Sequence, residues 1–378
     1  MLKILETHEI AGILAIFLIV QFAGLLIAVL TLQASAQATI IDRLVSGSSM
    51  ALSYGVDIVL ALIILMLLLN RHKRHNRELW NHRYFAVFEA VVLTATSFFA
   101  FLFLFTAVLP EELQGFYFVA ALAAALLVVF MRERTDAAKN LATIVSSVGV
   151  GLILGFYFSF AYALLILAIV AVYDYIAVFV TKSMIKLANT FSKENVAFLV
   201  SEQDVEAIPP DNVSIGEIAG YTRQLRKSHA DRDPLFRRIL ESGEIPVISQ
   251  IQLGEGDLGL PLMAIASAYF TFSIPFMAIV LACGAAIGLI VTVGFLKRFK
   301  TPLPAIPPLF ASVSVAAAWP LWQFKVITAG GAAALALIGA FVIVVGMGAT
   351  LIVRKRKEKH GDGPKMQDKR THGAAARS

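Results

Sequence analysis

Ten apolar stretches, each long enough to cross a bilayer as a helix, constrain what this chain can fold into before any single residue is considered. They lie near 11–32, 51–70, 86–108, 113–131, 141–160, 161–181, 258–275, 276–296, 304–322 and 328–353. A helix needs roughly 17 to 25 apolar residues to cross about 30 Å of hydrocarbon. With 58% hydrophobic residues, 15% charged and a mean hydropathy of +0.77, too little polar surface remains for a water-soluble globule. Lipid offers no partner to an unpaired backbone group, so segments of this length must be helices. The expected fold is an all-α, polytopic transmembrane bundle of nine to ten helices. The ninth stretch is the weakest, because Pro304, Pro307, Pro308 and Pro320 interrupt it and give it the character of a broken or re-entrant element.

Basic residues orient the spans. With the N-terminus inside, the clusters at 71–83, 132–139, 182–255, 297–300 and from 354 onward all fall on the cytosolic side. The opposite side receives 33–50, the acidic turn Pro110-Glu111-Glu112 and the link at 319–325. The expected divisions are 1–160 with five spans, 161–181 with the sixth, a polar cytosolic loop over 182–253, 254–353 with the remaining spans, and a basic disordered tail over 354–378. Ala34, Ala36 and Ala38 resemble a cleavage site, but the apolar run before them is too long for a signal core and is read as a retained helix. The net charge of +6 resides in loops and tail, so membrane lipids, and not nucleic acid, are the expected partners of the basic surface. Cys283 is the single cysteine, which excludes an intramolecular disulfide and a thiolate-clustered metal site.

Two carboxylates stand where lipid makes ionisation costly. Asp174 lies within the apolar run 167–180, and Asp257 closes Gly254-Glu255-Gly256-Asp257 at the mouth of the seventh stretch. Asp174 precedes Lys182 by eight residues, which at about 1.5 Å per residue places it roughly 12 Å below the cytosolic boundary. The next span starts from that same boundary and runs back. Antiparallel neighbours can therefore bring the two side chains to one depth if the seventh helix begins inside the membrane. Such a pair can share a proton, one member acting as base toward water while the other donates to a carbonyl. The same residues could relay protons or hold a cation in a transporter or channel, or survive in a scaffold that only binds.

Neighbouring residues extend the candidate site. Gly254 and Gly256 remove side chains where a helix or a substrate backbone would approach. Tyr173 could bring a phenol near the first carboxylate, although packing is the commoner role of such an aromatic. Pro304-Ala305-Ile306 opens the ninth stretch, and prolines there leave nearby carbonyl groups in need of partners. In the polar loop, 195–200 and 245–253 both read as short strands, the second leading directly into Gly254. A strand there offers unpaired backbone beside Asp257, to which an extended peptide could add.

No metal and no cofactor is expected. His72, His75 and His82 sit in a basic loop without a matching carboxylate set, and a His-Glu-x-x-His pattern is absent. Gly47-Ser48-Ser49 lacks the context of an intramembrane serine nucleophile. Asp57 and Glu89 lie near segment ends, where a carboxylate can reach the interface or a partner.

Tyr173-Asp174 in the sixth stretch, Gly254-Glu255-Gly256-Asp257 opening the seventh and Pro304-Ala305-Ile306 opening the ninth agree in order and placement with a known pattern. The chain resembles the presenilin and signal-peptide-peptidase family of intramembrane aspartyl proteases, most closely its archaeal presenilin-like members. The resemblance is best over about 161–310. It implies Asp174 and Asp257 as the catalytic pair, the proline motif as a substrate contact, transmembrane peptide substrates and nine helices, one fewer than hydropathy counts. Ile306 departs from the family's usual leucine, a swap that keeps volume and apolarity.

Overall fold

In the computed structural model, the residues described are 2–35, 79–132, 134–179, 199–208, 245–299 and 305–359. Among them are nine α-helices and one two-stranded sheet. The helices are α1 (Leu2–Ser35), α2 (Leu79–Val108), α3 (Gln114–Met131), α4 (Asp136–Tyr157), α5 (Phe160–Phe179), α6 (Glu255–Phe272), α7 (Pro275–Phe299), α8 (Ile306–Gln323) and α9 (Ala329–Lys359). Each coincides with one of the ten apolar stretches; the stretch at 51–70 lies outside the described residues.

Five of these helices carry spans long and apolar enough to cross a membrane: Ala11–Gln33, Glu89–Val108, Ala137–Tyr157, Phe160–Val178 and Pro275–Phe295. Shorter apolar helices occupy Phe116–Met131 and Ala329–Val342. Their exposed faces are apolar, as at Phe116, Phe118 and Phe130 of α3 and Leu337 and Phe341 of α9, which suits contact with hydrocarbon. This is an integral, multi-pass membrane protein.

The helix α6 is the exception, because it is enclosed by protein. It packs on α1, α4, α5, α7 and α8, and every residue from Pro261 to Tyr269 is buried. A helix that is apolar all round belongs in the centre of a bundle. Its closest fit is Leu262, fully buried between Gly24 of α1 and Gly151 of α4. A Cβ on Gly24 would stand 2.4 Å from a Leu262 methyl, and one on Gly151 2.6 Å from Cγ, so both glycines are required by close approach. Leu262→Ala should empty that slot and lower stability by about 2–4 kcal/mol. Thermal unfolding in detergent measures it; an unchanged melting temperature would contradict the packing.

Three elements differ from expectation, one being α9, whose helix continues through 354–359, where a disordered tail was expected. The ninth stretch is not broken: α8 runs continuously, because Pro307 and Pro308 fall in its first turn, where amides lack intrahelical partners, and Pro320 lies near its end. In the polar connection, β1 spans Leu199–Ile208: it includes 199–200 of the expected 195–200 and extends past them, while residues 195–198 lie outside the described set. The partner strand β2, Ile245–Gly254, coincides with the strand expected over 245–253. The pair is antiparallel, with Leu199 opposite Gly254 and Ile208 opposite Ile245, so one end of the sheet abuts the start of α6.

Candidate active site

The chain passes from β2 into α6 without a loop, and Asp257 falls at the third helical position. Gly254 is the N-cap, in extended conformation, and its amide donates to Asp257 Oδ2 at 3.3 Å. A side chain reaching back from that position satisfies a donor the helix cannot, which holds this carboxylate over the mouth of the helix. A Cβ on Gly254 would meet Asp257 Oδ2 at 3.3 Å, so the glycine leaves room for the carboxylate itself. A Cβ on Gly256 would meet nothing within 4 Å. No helix among the described residues closes on Gly256, and the space beside it is open.

Asp174 reaches the same place from α5. It is buried, 7% exposed, and its Oδ2 accepts from the Ile306 amide at 3.3 Å, with the Ala305 amide beside it. These donors belong to the first turn of α8, the end of a helix that favours negative charge. Asp174 and Asp257 lie close enough to act on one another electrostatically. Three elements thus converge: α5 brings one carboxylate, α6 the other, and the start of α8 the amides that orient the first.

The remaining candidates fall differently. Tyr173 is 61% exposed on α5 and makes no hydrogen bond to either carboxylate. Ala305 and Ile306 contribute backbone amides, and Ile306 also buries its side chain in the core, so the exchange for leucine leaves the donor intact. Pro304 lies outside the described residues, as do Asp57, His72 and His75. Glu89 is buried and pairs with Arg132 at 3.8 Å, a partner within the protein and not the interface. Among the described residues no group of three or more His, Cys, Asp or Glu is placed to hold a metal.

Polar residues that sequence reasoning passed over surround the start of α6. Ser146 of α4 donates to Glu255, and Thr96 of α2 hydrogen-bonds Ser146. Gln21 of α1, fully buried, donates from Nε2 to the Leu258 carbonyl at 3.0 Å. Pro261 has no N–H for the carbonyl of Asp257 four residues before it, which frees that carbonyl within the site. The available signal was polarity inside apolar stretches, where every such residue is a functional candidate.

Two carboxylates thus meet at the mouth of the bundle's central helix, Asp174 from α5 and Asp257 on α6 itself. The model of the family described as "Signal-peptide peptidase, presenilin aspartyl protease" matches residues 14–316, and the chain belongs to that family of intramembrane aspartyl proteases. Among curated proteins nothing matches significantly. Two solved structures of a presenilin family intramembrane aspartate protease are similar at 20% identity. The C222 crystal form covers 81% of this chain and 94% of its own with a TM-score of 0.43. The P2 form covers 88% and 97% with a TM-score of 0.44.

Proposed function

We propose that Asp174 and Asp257 are the catalytic pair and that they cleave single-span transmembrane substrates within the bilayer, using water. The observation that carries this is the convergence of both carboxylates with the α8 amides at one site. One carboxylate is ionised and takes a proton from water as the oxygen attacks the scissile carbonyl; the other donates its proton to the carbonyl oxygen. The tetrahedral intermediate then collapses, with a proton passing to the departing nitrogen. The net change is one water added across one peptide bond, and neither metal nor cofactor is needed.

The substrate must be unwound to be cut, and β2 supports a way to hold it so. In a two-stranded sheet each strand keeps one edge unpaired, and β2 ends at Gly254, three residues before Asp257. An extended substrate segment adding along that edge would deliver its carbonyl groups toward the carboxylates. Ala305, Ile306 and Pro304 would flank it on the α8 side, the space beside Gly256 would admit its backbone, and Tyr173 would face it or the lipid.

The test is cleavage of a reconstituted single-span peptide, with product termini read by mass spectrometry. Cuts should fall inside the substrate's apolar span; cuts confined to its polar flanks would refute intramembrane hydrolysis. Orientation is tested separately. On the positive-inside distribution we propose that loop 182–253 and the tail face the cytosol, with the cell membrane as the site, so protease added to right-side-out vesicles should leave that loop intact and protease added to inverted vesicles should cut it. The reverse pattern would invert the topology. The transporter or channel reading has no support from the family to which the chain belongs.

A further inference from the structure

Asp257 sits on a turn held from outside its own helix. Glu255, two residues before it, accepts from Ser146 of α4, and Ser146 is bonded to Thr96 of α2. With the Ser146 proton committed to Glu255, Thr96 is the donor of the bond between the two hydroxyls. On the other side of Asp257, the Leu258 carbonyl takes Gln21 of α1. The first turn of α6 is thereby fixed to three helices by side chains flanking the carboxylate.

The attachment has a reason in the local sequence. Gly254, Gly256 and Gly259 leave this turn with little side chain to pack, and Pro261 removes the amide that would bond the Asp257 carbonyl. A glycine-rich turn with a missing hydrogen bond is loose by itself. It nevertheless carries a carboxylate whose chemistry tolerates little displacement, since about 1 Å of misplacement can cost about a hundredfold in rate.

The geometry points to Glu255 as a positioning residue: through Ser146 and Thr96 it anchors the Asp257 turn to α4 and α2 and sets the catalytic distance to Asp174. This rests on the proposed roles of Asp174 and Asp257. Glu255 is bonded to Ser146 and acts through the backbone it holds. A polar chain inside a helix bundle is worth most when every member is present.

The full chain in detergent, as wild type, Glu255→Gln, Glu255→Leu, Ser146→Ala and the Glu255→Leu/Ser146→Ala pair, tests this on a reconstituted single-span substrate. Glu255→Gln keeps an oxygen for Ser146 and should stay within about threefold of wild-type kcat, whereas Glu255→Leu should lower kcat about ten- to a hundredfold with KM within about twofold. Ser146→Ala should lose kcat in the same direction, and the pair should be no worse than Glu255→Leu alone, because both break one chain. A KM effect with kcat unchanged, additive losses, or full kcat in Glu255→Leu would overturn the assignment. Amide hydrogen exchange over residues 250–262 gives a second readout that needs no activity. It should quicken in Glu255→Leu and not in Glu255→Gln; equal exchange in wild type and Glu255→Leu would also overturn it. If wild type cleaves nothing while exchange responds as expected, the protease reading fails and the anchor stands.

Discussion

Asp257→Asn should lower the cleavage rate by about a thousandfold or more, and Asp174→Asn should do the same, without loss of the fold. Asparagine keeps the volume of each side chain and an oxygen for the donors that orient it, the Gly254 amide in one case and the Ile306 amide in the other. It cannot take a proton from water or surrender one to a carbonyl. The double replacement should be hardly worse than either single one, because two residues sharing one proton act as a unit. The same sharing sets the pH profile. Activity needs one proton between the pair, so it should fall on the acidic side, where both are protonated, and on the alkaline side, where both are ionised, giving a bell. Single-turnover cleavage across pH, with unfolding temperatures for each variant, measures all of this. Full activity in either single variant would refute the assignment.

Both carboxylates were legible from the chain alone because lipid makes an intramembrane carboxylate conspicuous, and the spans were legible because bilayer thickness sets their length. Asp257 was read at the mouth of the stretch at 258–275, and it lies at the third position of α6. What remained hidden depends on contacts between distant segments. Thr96 and Ser146 are 50 residues apart, Ser146 and Glu255 109, and Gln21 and Leu258 237. No periodicity within one helix announces such partners. The prolines of the ninth stretch misled for a different reason: Pro307 and Pro308 break a helix in its interior but suit its first turn, and only the position of the helix start decides which applies. Tyr173 shows the limit of adjacency, since neighbours on a helix point about 100° apart, and its ring is exposed while Asp174 is buried.

Gly149→Ala should be among the most damaging single-methyl additions this protein can receive, although it lies on neither α5 nor α6. A Cβ at Gly149 would stand 1.8 Å from the Thr96 carbonyl oxygen and 2.7 Å from its carbon. A carbon and a carbonyl oxygen in contact need about 3.3 Å, so α2 and α4 must part by roughly 1.5 Å. The obstacle is backbone, which cannot rotate aside as a side chain could. Parting these helices also draws Thr96 from Ser146, and with it the support of Glu255. We expect about 3 kcal/mol or more of lost stability and, in whatever folds, a fall in kcat resembling that of Ser146→Ala. Gly294→Ala is the matched control, because a Cβ there meets nothing within 4 Å inside the regular helix α7. It should stabilise by about 0.5–1 kcal/mol through reduced backbone freedom. Thermal unfolding of both variants in one detergent decides the matter: a Gly149→Ala protein as stable as wild type would mean that α2 and α4 do not approach at Thr96, and the polar chain to Glu255 would lose its first link.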